Sequence, residues 1–537
     1  MRTLFLSVTL VALAALTACG STDEGSDAAG AGGTHETSGG TGGTGGEGSA
    51  TGGSSGSSGT GGVAGGGGSA GSAGSGGSAG DGGAAGASGD GGGAGVGGGA
   101  GTAGSAGGAG AAGAGGGEPT VCNGDCIYVR AGGSGDGSDW AQARPALPSS
   151  LERGTTYLVA AGTYPGYTFD DAAAGQEVIT IKKATEDDHG TDSGWQASYG
   201  TAKAVFGPLS FQAPWHVIDG GPGRGLVARG EFQSPALIVE ADRVTVRRLE
   251  VDGAFGVNAS GQHAEGSCNA VRVSNATQVT MDGCDIHDAA DDGIVMRNVA
   301  DSVVRNTQIH HLHGCGTDAS CVGPCYNGHS DGFELYTLRR CVLEGNFVHH
   351  MKQTSTLFFP DPGDPSKHTE DLLIVNNIFY GGDTGLIAYL QRVKDLRVFH
   401  NVFWGKRKGD YGGLAIGPDL TGLRLHNNII LSINLSHTGT TYDPAKYQGD
   451  YNLLGVDIGQ FPMGPHDFVA GDPMFSGIPD LNGDMVVAPS IQNFLPQPGS
   501  PVIGKAWAGD ATHVMPTLDM LGKPRVGAPD TGPLERQ

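Results

Sequence analysis

Between residues 20 and 117 the chain has no proline, no aromatic residue and no cysteine. With no aromatic residue and only Val63 and Val96 as branched apolar residues, this stretch cannot bury enough surface to offset the entropy of ordering it. The lack of proline, and of glycine at every third place, excludes a collagen helix. Basic residues are also scarce: 31 Lys and Arg face 55 Asp and Glu, a formal charge of -24. Such a balance argues against nucleic acid, nucleotides and acidic lipid surfaces as partners. The chain also lacks a sustained helical period. No apolar repeat of 3.6 survives for even twelve residues, which excludes helical repeats.

What is present begins with an apolar stretch from Leu4 to Leu16, led by Arg2 and closed by Leu16-Thr17-Ala18-Cys19. This resembles the signal of a bacterial lipoprotein, cut and lipidated at the cysteine. The resemblance implies export, a lipid anchor at Cys19, and, because Gly20 follows it, an outer-membrane address open to the cell surface. Residues 1–19 are thus the signal, and 20–117 a disordered Gly/Ser/Ala-rich tether. At about 5 to 6 Å times the square root of its length it spans on the order of 55 Å. Residues 118–537 form the folded body, expected as a monomer. Its cysteines, Cys122, Cys126, Cys268, Cys284, Cys315, Cys321, Cys325 and Cys341, are even in number. Export favours disulfides. Zinc is the alternative, with Cys321 and Cys325 near His311, His313 and His329.

Within the body, apolar groups of three or four residues recur between Gly, Asn and Asp: Val279-Thr280-Met281, Cys284-Asp285-Ile286, Gly293-Ile294-Val295-Met296. Aligning every third group reveals a period. Ile286 to Ile309 is 23 residues, Ile378 to Val402 is 24, and Val402 to Ile429 is 27. The longer gaps, 38 from Ile309 to Phe347 and 31 from Phe347 to Ile378, each hold an insertion. Three short strands and three turns per coil predict a parallel β-helix, an all-β solenoid in which only stacking makes a core. Asn377, Asn401 and Asn428 fall at one corner of successive coils, where Asn suits a left-handed turn and can bond its neighbours above and below.

The opening segment Ile127-Tyr128-Val129 with Gly154-Thr155-Thr156-Tyr157-Leu158-Val159, and the ending Asp519-Met520-Leu521-Gly522-Lys523-Pro524-Arg525, resemble the right-handed parallel β-helix superfamily of pectate lyases, alginate lyases and pectin hydrolases. The resemblance covers most of residues 127 to 532. It implies an all-β right-handed parallel β-helix and, as one activity, cleavage of an acidic uronate glycan by calcium-assisted β-elimination.

Polar residues concentrate between 285 and 352: Asp285, His287, Asp291, Asp292, His310, His311, His313, His329, Asp331, Glu334, His349, His350 and Lys352. Asp292-Gly293 and Asp331-Gly332 open the same strand in neighbouring coils, about 4.8 Å apart. With Asp291 and Glu334 they are candidate ligands for calcium, which takes six to eight hard oxygens; Asp-Gly is also ordinary turn chemistry. In the lyase reading Lys352 is the candidate base, with Arg392 as second catalytic residue and Lys394 a further basic residue for substrate. Two other readings stand beside it. Asp291-Asp292 with Gly328-His329-Ser330 partly matches the superfamily's pectin hydrolases. Trp404, Tyr380 and Tyr389 are the aromatics on which a non-catalytic carbohydrate-binding protein would stack sugar rings.

Overall fold

The computed structural model describes residues 126–536, apart from 232–233, 256–267, 315–329, 352–354, 361–363, 365–366, 382–385, 406–412, 418, 435–445, 458–460, 478–488 and 512. The signal, the tether and Lys352 lie outside the described residues. The chain divides after residue 102, and every described residue belongs to the second unit.

The described strands pair in parallel, coil upon coil; antiparallel contact is confined to isolated bridges. One coil shows the plan. Ile294–Arg297 lies on one face, Val303–Arg305 on the next and Gln308–Leu312 on a third, after which Phe333–Tyr336 begins the following coil directly above Ile294–Arg297. Val303–Arg305 pairs with Val342–Glu344, and Gln308–Leu312 with Phe347–Met351. The face holding Val303–Arg305 runs through twelve strands, from Cys126–Val129 to Tyr447–Asp450. This is a right-handed parallel β-helix.

The strands are short because the chain turns after two to six residues, and the turn residues suit that geometry. Asn275, Asn298, Asn306, Asn376 and Asn427 have φ between 52 and 62°, where Asn is tolerated far better than branched residues. Inside, alternation sends one apolar column through the third face: Val251, Ile286, Ile309, Val348, Phe379, Phe403, Ile430 and Leu454 are register partners, each fully buried. Each such side chain contributes about 1.5–3 kcal/mol of burial. Phe379 and Phe403 stack at 5.1 Å.

The corner asparagines form a longer ladder than Asn377, Asn401 and Asn428. Thr307 N donates to Asn346 Oδ1 at 3.1 Å. Asn346 Nδ2 donates to Asn377 Oδ1, Asn377 to Asn401, Asn401 to Asn428 and Asn428 to Asn452, all at 2.9–3.0 Å. Asn452 closes the series on Asp467 Oδ1 at 3.0 Å. Every asparagine in the ladder is buried, so the amides satisfy main-chain groups that the corner leaves unpaired.

Segments outside the coil pack on its flanks near each end. Trp140 is buried against Tyr128, Trp195 and Tyr199 at the first. At the other, the C-terminal segment folds back along the stack. Arg525 donates to Asn376 Oδ1 and Gly532 O, and pairs with the buried Glu535 at 3.1 Å.

The cysteines correct one expectation. Cys126 and Cys268 each take part in a disulfide, but Cys284 and Cys341 are free thiols buried in the core. Each begins a strand-to-strand corner with its sulfur inward, so both serve as small apolar residues. The remaining cysteines lie outside the described residues.

Candidate functional site

The outer side of the third face carries a single file of polar side chains. Register places Arg229, Asp252, His287, His310, His349, Tyr380 and Trp404 one above another in successive coils. The imidazole rings stack: His287 on His310 at 5.3 Å and 11°, His310 on His349 at 5.2 Å and 5°. The sequence doubles the histidine twice, and the second members also stack, His311 on His350 at 4.8 Å and 3°. Both second histidines have left-handed backbones, φ 53 and 58°. That conformation is uncommon outside Gly and Asn. It swings each ring back towards its neighbour, so that Nδ1 of His310 bonds Nδ1 of His311, and Nδ1 of His349 bonds Nδ1 of His350.

Around His310 the bonds form a chain. Arg224 Nη1 lies 3.1 Å from Asp285 Oδ2, and His310 Nε2 donates to Asp285 Oδ1 at 3.0 Å. With its proton on Nε2, neutral His310 presents a lone pair at Nδ1. His311 Nδ1–H donates into it, which leaves the lone pair of His311 on Nε2. Burial, then the repulsion of His310, holds the His311 pKa below its ordinary value, so that lone pair is present at neutral pH. Burial raises the Asp285 carboxyl, but its bond and attraction to His310 and the charge of Arg224 outweigh this, and the net shift is downward. Asp285 therefore stays ionised. One coil on, Gln308 Nε2 donates to His349 Nε2 at 3.0 Å. Burial, followed by His310 and His350, holds His349 well below the usual imidazole range.

One coil earlier, His287 is surrounded by carboxylates. Its Nδ1 is 2.7 Å from Asp288 Oδ2 and its Nε2 3.7 Å from Glu250 Oε1. Burial works against a charge here, but the bonds to Asp288 and Glu250 win, and the pKa rises to about 10. His313 Nε2 bonds Asp288 Oδ1 at 3.0 Å. Among the described residues, Asp252, His287 and Asp288 form the one group of three whose metal-ligating atoms lie within 4.8 Å of one another.

The four carboxylates expected to hold calcium are arranged otherwise. Asp292 and Asp331 do occupy neighbouring coils, yet they are 2 % and 1 % exposed and serve the main chain. Asp331 N donates to Asp292 Oδ1 at 2.9 Å, and Ser355 N to Asp331 Oδ1 at 2.8 Å. Glu334 accepts the Tyr336 hydroxyl at 2.7 Å, one register position after Phe333 and thus on the other side of its strand from that core residue. No three of Asp291, Asp292, Asp331 and Glu334 bring ligand atoms within 4.8 Å of one another. As placed, this set does not fit calcium, and no step is derived through that ion.

Arg392 is likewise apart. Phe333 pairs with Leu357 and Leu357 with Ala388. Arg392 lies four residues after Ala388, whereas Asp331 lies two before Phe333, so they stand at opposite ends of that face. Arg392 pairs with Asp419 at 3.6 Å. Of the aromatics, Tyr380 is buried beneath Phe494, and Trp404 packs on Phe475 of the C-terminal segment. Tyr380 is therefore covered, and Trp404 is half-buried against that segment. Tyr389 is partly exposed, beside Phe358 and Gln391.

Residues 238–430 match the family model described as the right handed beta helix region. No curated protein matches the chain. Solved structures similar to it include pectate lyase Pel9A (13% identity, 77% of this chain and 96% of that one, TM-score 0.43). They also include an alginate lyase from Paenibacillus sp. str. FPU-7 (16%, 64% and 97%, 0.34). A third is PfbA, a surface adhesin of Streptococcus pneumoniae (12%, 58% and 73%, 0.32).

Proposed function

We propose that this protein cleaves an acidic, uronate-containing polysaccharide by β-elimination, with Asp285, His310 and His311 as its proton relay. The observation that carries the reading is the bonded series Arg224–Asp285–His310–His311 on the outer side of a long, rigid coil. An extended polymer lies naturally along such a face. His311 Nε2 accepts the proton next to the uronate carboxylate, while its Nδ1 proton passes to His310 Nδ1. The resulting His310 imidazolium rests against ionised Asp285. The C–H pair becomes the double bond, and the glycosidic oxygen leaves and takes a proton from solvent. Arg224, 32 % exposed, supplies positive charge for the substrate carboxylate. A positioned acid–base group of this kind is worth roughly 10²–10⁴-fold in rate.

The test is a panel of uronate polymers followed by ultraviolet absorbance, which reports the unsaturated product that only elimination forms. His311→Ala is expected to abolish the signal and Lys352→Ala to leave it. The reverse pattern moves the base to Lys352. New reducing ends without absorbance indicate hydrolysis, and glycan binding without cleavage a recognition protein. The same proposal anchors the chain in the outer membrane through lipidated Cys19. Radiolabelled palmitate incorporation, lost in Cys19→Ser, tests it.

A further inference from the structure

We infer that Asp252, His287 and Asp288 form a binding site for a divalent transition-metal cation, of the Zn²⁺, Mn²⁺ or Co²⁺ type. The inference goes beyond the elimination reading and does not depend on it. Asp252 and His287 are register partners in adjacent coils, so the two side chains leave the face side by side. Asp288 follows in a left-handed turn, φ 56°. That turn brings its carboxylate back to the His287 ring at 2.7 Å. The three ligand atoms lie within 4.8 Å of one another, and ligands bonded at 2.0–2.2 Å to one tetrahedral ion stand roughly 3.5 Å apart, so closing by about 1 Å completes the site.

The donor set chooses the ion. One imidazole nitrogen and two carboxylates suit borderline cations, whereas calcium asks for an all-oxygen shell. Three protein ligands also leave a coordination position open. His313 stands ready beside the site. Its Nε2 is 3.0 Å from the second oxygen of Asp288, and its ring is stacked on Phe255 at 4.1 Å. A histidine donating to a ligating carboxylate fixes the direction of that carboxylate.

The scaffold holds this geometry closely. A Cβ on Gly253 would come within 2.5 Å of Asp288 O, so the two coils approach as far as glycine permits. Asp252 Oδ1 accepts Ala254 N at 2.7 Å, which aims the carboxylate. Arg229, 55 % exposed, now pairs with Asp252 Oδ2 at 2.8 Å and is the group an ion displaces. Glu250 adds a further negative charge 3.7 Å from His287.

The full chain, stripped of metal and held in detergent, is titrated with Zn²⁺, Mn²⁺, Co²⁺ and Ca²⁺ by calorimetry, without substrate. One equivalent of a transition ion is expected to bind, with Co²⁺ giving visible d–d absorption. His287→Gln and Asp288→Asn should each weaken it at least tenfold, with an unchanged circular dichroism spectrum. Asp331→Asn should leave it intact. Absence of binding, binding indifferent to both first variants, or preferred Ca²⁺ binding lost in Asp331→Asn would each overturn the assignment. Because substrate is absent, failure here is separate from failure of the elimination reading.

Discussion

Asp285 places one carboxylate oxygen 3.0 Å from Nε2 of His310 and the other 3.1 Å from the guanidinium of Arg224. A carboxylate so held orients the imidazole and stabilises its protonated form. Asp285→Asn keeps the size of the side chain but removes that charge. The expected result is a fall in kcat of about 10²–10⁴-fold with little change in KM. A rise in KM with kcat unchanged would mean that Asp285 binds substrate instead.

The asparagine ladder predicts a stability effect. Asn401 Nδ2 donates to Ile374 O, Phe399 O and Asn428 Oδ1, while its own oxygen accepts from Asn377. Asn401→Ala strands those buried groups at about 1–3 kcal/mol each. Denaturant unfolding should show a loss of several kcal/mol. Hydrogen exchange should rise first in the coils holding residues 374–377 and 426–428.

The returning C-terminal segment is fixed by a buried charge pair. Arg525→Met leaves Glu535 without its partner in the interior, a change that costs about 3–5 kcal/mol. Gly532→Ala is expected to destabilise as well. Gly532 has φ +99°, and a Cβ there would meet Ile429 Cδ1 at 2.6 Å. Thermal melting of both variants, with proteolysis to detect release of the segment, checks this.

Acid should destabilise the fold through histidines. His216 is fully buried against the stacked rings of Phe169 and Phe211, and burial pushes its pKa down to about 4. Unfolded, it titrates at the ordinary value near 6.5. Between these values the unfolded chain binds the extra proton, so stability is full above about pH 6.5 and falls as the pH drops towards 4. His426, also lowered to about 4 by burial, acts in the same direction. His216→Phe should flatten the dependence of melting temperature on pH across that window; an unchanged slope contradicts it.

The fold was readable because its evidence is periodic. Ile286 and Ile309 are register partners on the inner side of the third face, and Ile378, Val402 and Ile429 are register partners one residue over, on its outer side, so the gaps within each set measure the coil. The relay was not. The doubled histidines, 310–311 and 349–350, were visible as residues, yet their roles arise from equal register and from two left-handed turns. Neither is written in the spacing of a single coil. Asp292 and Asp331 misled for a related reason: stacking was foreseeable, but inward commitment to main-chain N–H groups was not. Arg224 reaches Asp285 from a turn sixty-one residues earlier, beyond any local pattern.

The way the asparagine ladder finishes bears on solubility. Along it, each amide offers its hydrogens to the next coil, so an asparagine in last place would still be soliciting a neighbour. Asp467 occupies that place. It takes the hydrogens of Asn452 on one oxygen and Gly464 N on the other, and as a carboxylate it has none to pass on. The stack thus carries its own stop signal. A second molecule arriving end-on finds no outstretched amide to continue from, which is how an edge that could polymerise is kept quiet.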